Sequence, residues 1–271
     1  RKEFYDWNKP IRKEANSAEQ AGDGEGKSSA AIIRRLAEEI CKTEYFAQDL
    51  GKKLYVYRGG VYKPRGEEVV RRKVKSLTQK WKQDEEWSSH LANEVAEYIR
   101  VDASELWERP PPDLLNVQNG LLRIADKKLL SHTPEHLTTV QLPVDFDPAA
   151  TCPEIDKFIQ QIFPEDAFSL AYEIPAYLML PDTSIQKAVL LLGAGGNGKS
   201  TYLGMLLAFL GKGNTSGVAL HQLEADKFKA SRLYGKLANV CADLPSEHLA
   251  GTSVFKQITG LKINFYAVSF G

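Results

Sequence analysis

The chain has 271 residues, 43% of them hydrophobic and 26% charged, with 35 Lys+Arg against 35 Asp+Glu. Those figures describe an ordinary globular protein of one large or two modest domains, with room for a buried core. They exclude a polybasic arm or an acidic tail as the whole protein, but not a charged face. Cys41, Cys152 and Cys241 form no CxxC pair. Neither a disulfide framework nor a zinc ribbon is indicated, and a reducing compartment is expected. No apolar run reaches the roughly 18–20 residues of a membrane span, and no signal peptide opens the chain. The first residue is Arg1, not Met, so a piece of a longer polypeptide is expected.

Residues 1–30 are polar, close on AGDGEGKSSA and read as a flexible linker. Gly26-Lys27-Ser28 imitates the end of a phosphate loop. The residues before it, KEANSAEQ, cannot form the buried strand such a loop needs, so the match is rejected. Residues 30–48 carry Ile32, Ile33, Leu36, Ile40 and Cys41 near one face, which predicts an amphipathic helix. LYVYR and VYK around Gly59-Gly60 predict a hairpin. GEEVVRRKVKSLTQKW and SSHLANEVAEYIRVDASELW predict two further helices. Pro110-Pro111-Pro112 marks a module boundary and closes a basic helical and hairpin module at 31–110.

A connector over 111–180 follows, with short strands turning at Asn119-Gly120 and Asp126-Lys127. Helices are predicted at 153–163 and 168–180. His132 and His136 are four apart, but Pro134 spoils a helical ligand pair, so both read as polar loop residues. The zero net charge is a cancellation between regions. Lys52 to Lys80 holds ten Lys/Arg against two acids, and Asp145 to Glu173 holds seven acids against one Lys.

The texture changes near Lys187. Ala188-Val189-Leu190-Leu191-Leu192 reads as a strand buried on both faces of a parallel sheet. It runs straight into Gly193-Ala194-Gly195-Gly196-Asn197-Gly198-Lys199-Ser200-Thr201, a complete GxxxxGKS phosphate loop, and then into the helical YLGMLLAFL. Phosphates need several backbone N–H groups with no Cβ in the way, which glycines allow. The helix adds its partial positive N-terminus. Lys199 is placed to reach the β- and γ-phosphates, and the Ser200 hydroxyl to hold Mg²⁺.

Such a site also needs an acid at the end of a neighbouring strand. LANVCADLP supplies Asp243, 44 residues beyond Lys199, as catalytic acid and second metal ligand. Ala242 stands where a second acid would stand, and Glu247 is a weaker candidate for a base.

GAGGNGKST, YGKLANVCADLP and VFKQITG, in that order, are similar to the superfamily 3 helicase core of the phage and plasmid primase-helicase family. Upstream, LYVYRGGVYKPR, LLNVQNGLL and DFDPAATCPEIDKF resemble the poxvirus-type primase-helicase N-terminal module. The resemblance implies a mainly α N-terminal module with a small β-hairpin, then a P-loop, AAA+-like α/β domain with a parallel sheet. That domain, 181–271, is expected to be incomplete at its C-terminus. ATP and Mg²⁺ are the implied cofactors. Gly193, Gly198, Lys199 and Ser200 match Walker A and Asp243 matches Walker B. Lys256, Thr259 and Gly260 match the start of a third motif, whose region contacts DNA, although Leu261-Lys262 replaces the usual Gly-Asp. The sensor asparagine and arginine finger have no counterpart before Gly271.

The expected activity is ATP-driven unwinding of single-stranded or forked DNA by a homo-oligomeric, hexameric ring. A primase domain would lie upstream, and a bacterial host cytoplasm or viral replication site would house it. A replication initiator or loader without unwinding activity is the alternative. A small-molecule P-loop kinase fits less well, given the long chain before the loop. Arg71, Arg72, Lys73 and Lys75 are further DNA-contact candidates. Two readings of that basic stretch stand side by side. In one, its cations and Tyr55, Tyr57, Tyr62 and Trp81 grip a nucleic acid. In the other, the aromatics pack the hairpin and the cations are solvated.

Overall fold

The computed structural model describes residues 24–83, 86–181, 187–193, 195–219, 222–223, 227–243 and 266–269. It is a mixed α/β protein of helices and small sheets. The first helix, α1 (Gly24–Cys41), starts earlier and stops earlier than its sequence pattern predicts. Residues 24–30 are therefore helical rather than linker, and Gly26-Lys27-Ser28 lies within the helix. The stop has a tertiary cause. Glu44 is only 7% exposed and sits between Lys73, at 2.8 Å, and Arg58. Burial alone would push its carboxyl up; the two cations hold it below the usual carboxylate range instead. The chain then runs as a strand, β1 (Phe46–Gln48).

The hairpin is β2 (Leu54–Arg58) and β3 (Val61–Lys63), closed by Gly59 and Gly60. Their φ values of 58° and 88° are the positive pair of a type I′ turn. A Cβ on Gly60 would stand 2.5 Å from His132 Nε2, so the tip is seated on that ring. β1 pairs antiparallel with β2 and parallel with a two-residue strand, β4 (Ser104–Glu105). The N-terminal module is thus not a hairpin alone but a four-stranded sheet, β3-β2-β1-β4. The two extra strands are too short to show any period in sequence.

Helices α2 (Gly66–Lys80) and α3 (Ser89–Asp102) join α1 over this sheet. Ser88 caps α3 by accepting from the Leu91 N–H at 3.0 Å. Leu36, Ile40, Val70, Val74, Val95 and Ile99 close over Leu54 and Val56 as one core. Each such buried side chain is worth about 1.5–3 kcal/mol.

Beyond the prolines, β5 (Leu114–Val117), β6 (Gly120–Arg123) and β7 (Lys128–Leu130) form an antiparallel meander. Asn116 ties it to the first module by donating to the Gly60 carbonyl at 2.9 Å, and within the connector it also donates to that of Val140 at 3.1 Å. Both histidines lie in the loop after β7, as expected, but they are packed against the protein rather than solvated. His132 Nε2 lies 2.9 Å from the Val117 carbonyl oxygen, and His136 is 3% exposed with its ring edge-on to Trp107. Among the described residues no group of His, Cys, Asp and Glu is placed to hold a metal, and no helix is long and apolar enough to cross a membrane.

Helices α4 (Pro153–Ile162) and α5 (Phe168–Met179) precede four short strands that pair in parallel. These are β8 (Val189–Leu191), β9 (Thr215–Ser216), β10 (Ala238–Asp243) and β11 (Tyr266–Ser269), in the spatial order β8-β11-β10-β9. Helix α6 (Lys199–Leu210) packs on them through Tyr202, Leu203, Leu206 and Leu210. Val117, Leu142, Ile174 and Leu178 belong to the same core as Tyr202, Leu237 and Val240. The connector and the parallel sheet therefore share one interior.

Candidate nucleotide-binding site

β8 ends at Leu191, and within eight residues the chain is helical again. Gly198 makes that turn possible. It is the residue before α6 and has φ 85°, a left-handed conformation that favours glycine. A Cβ there would stand 2.6 Å from Ile162 Cγ2, so the loop is seated directly against α4. The Gly198 carbonyl accepts from the Tyr202 N–H at 2.9 Å, which starts the helix. Tyr202 is fixed in turn: it is 1% exposed, its hydroxyl donates to the Ala171 carbonyl at 2.6 Å, and its ring meets Phe163 edge-on.

Gly193, Gly195, Gly196 and Asn197 are exposed along the loop, and Ser200 and Thr201 are exposed in the first turn of α6. Lys199 is half-buried. Its ammonium donates to the Gly193 carbonyl at 2.7 Å and to Asn197 Oδ1 at 2.9 Å, spanning the loop from one side to the other. The ammonium of Lys199 and the amino end of α6 thus stand at the same solvent-accessible turn, an arrangement of the kind that can receive an anion. Ala194 lies outside the described residues.

The strand register brings Asp243 to the same level. Leu191 pairs with Ser269, and Ser269 pairs with Asp243 across an irregularity after Cys241. Asp243 therefore stands at the carboxyl end of its strand, two strands from the glycine loop, or roughly 10 Å away between backbones. Ligands of parallel sheets lie outside these carboxyl ends. Lys256 and Glu247 lie outside the described residues.

The basic residues of α2 are brought near other partners. Arg71 donates to Asn93 Oδ1 at 3.2 Å, Arg72 pairs with Glu68 and Lys73 pairs with Glu44. Lys75 lies 5.5 Å over the Trp87 ring. The aromatics follow the packing reading more than the stacking one. Tyr57 packs against Tyr62, which is 3% exposed, and Arg35 covers Trp81 at 4.0 Å. Burial and the bond to Asp49 push the Tyr55 hydroxyl up to about 12.

Residues 32–164 match the family model described as D5 N terminal like. This is the N-terminal domain of D5-like phage and viral primase-helicases, so the match supports a primase-helicase family and a part in DNA replication. It spans just under half of the chain, from α1 to the end of α4. Residues 191–267 match a family of unknown function, DUF5906. That second region opens at the end of β8 and takes in the glycine loop, α6, β9 and β10. No curated protein matches the chain.

Proposed function

We propose that the chain is the helicase part of a primase-helicase, an ATP-dependent replicative DNA helicase of a phage, virus, plasmid or related mobile element. The observation that carries this reading is the glycine loop between β8 and α6, with Lys199 across it and Asp243 level with it two strands away. The strand order supports an AAA+-like P-loop domain, because β11 is inserted between the loop strand and the strand of Asp243.

In this reading the loop amides and the first turn of α6 receive the phosphates of ATP. Lys199 exchanges its bonds to Gly193 and Asn197 for phosphate oxygens, at little cost because its head is already placed. Ser200 and Asp243 hold Mg²⁺. The ion, when bound, neutralises charge on the phosphates as the terminal phosphoryl group leaves. Asp243 orients the hydrolytic water, with Glu247 as the second candidate for that task. Turnover drives translocation on single-stranded or forked DNA by a homo-oligomeric ring, a hexamer.

Lys199→Ala in the full chain tests the reading. ATP turnover is expected to fall roughly 100- to 1000-fold or more, the scale of removing one charge-stabilising group. Survival of both ATP hydrolysis and unwinding in this variant would show the reading to be wrong. A replication initiator or loader without unwinding is the second reading. The lone acid favours it, since Ala242 precedes Asp243. A strand-displacement assay separates the two.

A further inference from the structure

A cleft of about 790 Å³ lies between the N-terminal module and the parallel sheet, away from the glycine loop. Lys63 at the end of β3, Arg109 before the prolines, Lys212 after α6 and Lys236 before β10 all line it. Gly211 to Asn214 and Lys236-Leu237 directly precede β9 and β10, so this wall is the amino end of the sheet. The glycine loop leaves the opposite, carboxyl end.

Two observations separate this cleft from an ordinary seam between modules. First, none of the four cations forms an ion pair among the described residues. Lys236 bonds only the Gly213 carbonyl, whereas Arg72, Lys73 and Arg65 on and beside α2 all face a carboxylate. The acids in the lining are Asp49, which already accepts from the Tyr55 hydroxyl, and Glu108. Unpaired cations gathered in one recess repel each other, which an incoming anion would relieve. Second, Tyr234 stands at the rim with 59% of its surface exposed, and Trp107 lines the wall. The recess continues past Trp107 onto a shelf of Pro110, Pro111, Pro112 and Pro181. Trp107 is half-buried against His136, so Tyr234 is the ring that stands open. An exposed aromatic ring beside cations that lack a carboxylate partner is the means by which a single strand is gripped: phosphates meet the cations and an unpaired base stacks on the ring. A duplex keeps its bases stacked inside and offers Tyr234 no free base face.

We infer that this cleft is a binding site for single-stranded DNA, separate from the nucleotide site. The replication reading enters only in the choice of DNA, not in the choice of a single strand. The site was not legible from sequence because its cations come from four segments scattered between Lys63 and Lys236.

Fluorescence anisotropy tests the inference, with the full chain, no nucleotide, a labelled oligo(dT) and a duplex of the same length, over a range of salt. The single strand is expected to bind tighter than the duplex. The double variant Arg109→Gln/Lys212→Gln is expected to lose about tenfold or more in affinity, and the slope of log affinity against log salt to fall by about 1.4, two phosphate contacts at roughly 0.7 each. Tyr234→Ala is expected to lose about tenfold with little change of slope. Thermal midpoints equal to the parent's keep folding out of the comparison. Unchanged affinity and slope in both variants, or equal binding of the duplex, overturns the inference. Lys199→Ala, assayed in parallel, judges the ATPase reading separately. Its loss of turnover beside unaffected cleft variants sinks the cleft alone, and the reverse pattern sinks the ATPase alone.

Discussion

Asn239 shows how a polar side chain can belong in a strand interior. It is 0% exposed within β10, where composition alone would count it as a weakness. Its Oδ1 accepts from the Ser216 hydroxyl and the Val218 N–H, both at 2.8 Å, and its Nδ2 donates to the Val218 carbonyl at 2.9 Å. It clamps the chain leaving β9 to the sheet. Asn239→Leu leaves the Val218 N–H and C=O buried and unpaired, and should cost about 2–4 kcal/mol in urea unfolding. His136 makes a second case. Burial pushes its imidazole down to about 4, with His132 pushing the same way and Asp113 opposing. The unfolded chain binds this proton near pH 6.5 while the folded chain does not until about pH 4. Stability from this group is therefore full above pH 6.5 and is lost as pH falls towards 4. The loss amounts to roughly 2–3 kcal/mol over that window. Unfolding free energies measured across the window should slope upward with pH, and His136→Asn should flatten that slope.

Among the elements, those with long periods were legible. The helices α2, α4 and α5 and the β2–β3 hairpin fall where apolar spacing and Gly59-Gly60 put them, whereas α3 stops at Asp102 and the tail expected to continue it, Ser104–Glu105, is strand β4 beside β1. β1 was hidden because Tyr45, Phe46 and Ala47 prolong the helical pattern of α1, and the burial of Glu44 between two cations outweighs that local preference. The glycine loop was legible because its chemistry is contiguous in sequence. Its seating on α4 was not, since Ile162 and Gly198 meet only in space. That contact carries its own expectation. Gly198→Val adds a Cβ into Ile162 and strains a left-handed residue, so the start of α6 must shift. Nucleotide affinity should fall by about tenfold or more, because positioning errors near 1 Å are costly in such sites. Titration with a fluorescent ATP analogue checks this, and an added Ile162→Ala should restore part of the loss.

Taken whole, the chain has more than one core, and the one beneath the glycine loop begins well before that loop in sequence. Val117, Leu142, Ile174 and Leu178 line the interior that also holds Tyr202, Leu206 and Leu237. A fragment of residues 181–271 lacks all four of the former and should not melt cooperatively. A fragment of 111–271 keeps them and should retain a cooperative transition by circular dichroism. Equal melting of the two would contradict a shared core.

Helix α6 adds a mechanical consequence. It is about 18 Å long at 1.5 Å per residue. One end is the glycine loop; the other, Gly211 to Asn214, is pinned by Asn214 donating to the Gln141 and Leu210 carbonyls and by its own carbonyl accepting from Leu237 N–H. A helix so tied at both ends behaves as a strut rather than a spring. A tilt of the loop end would therefore be expected to lever the far end, and with it the wall that Lys212 and Lys236 share.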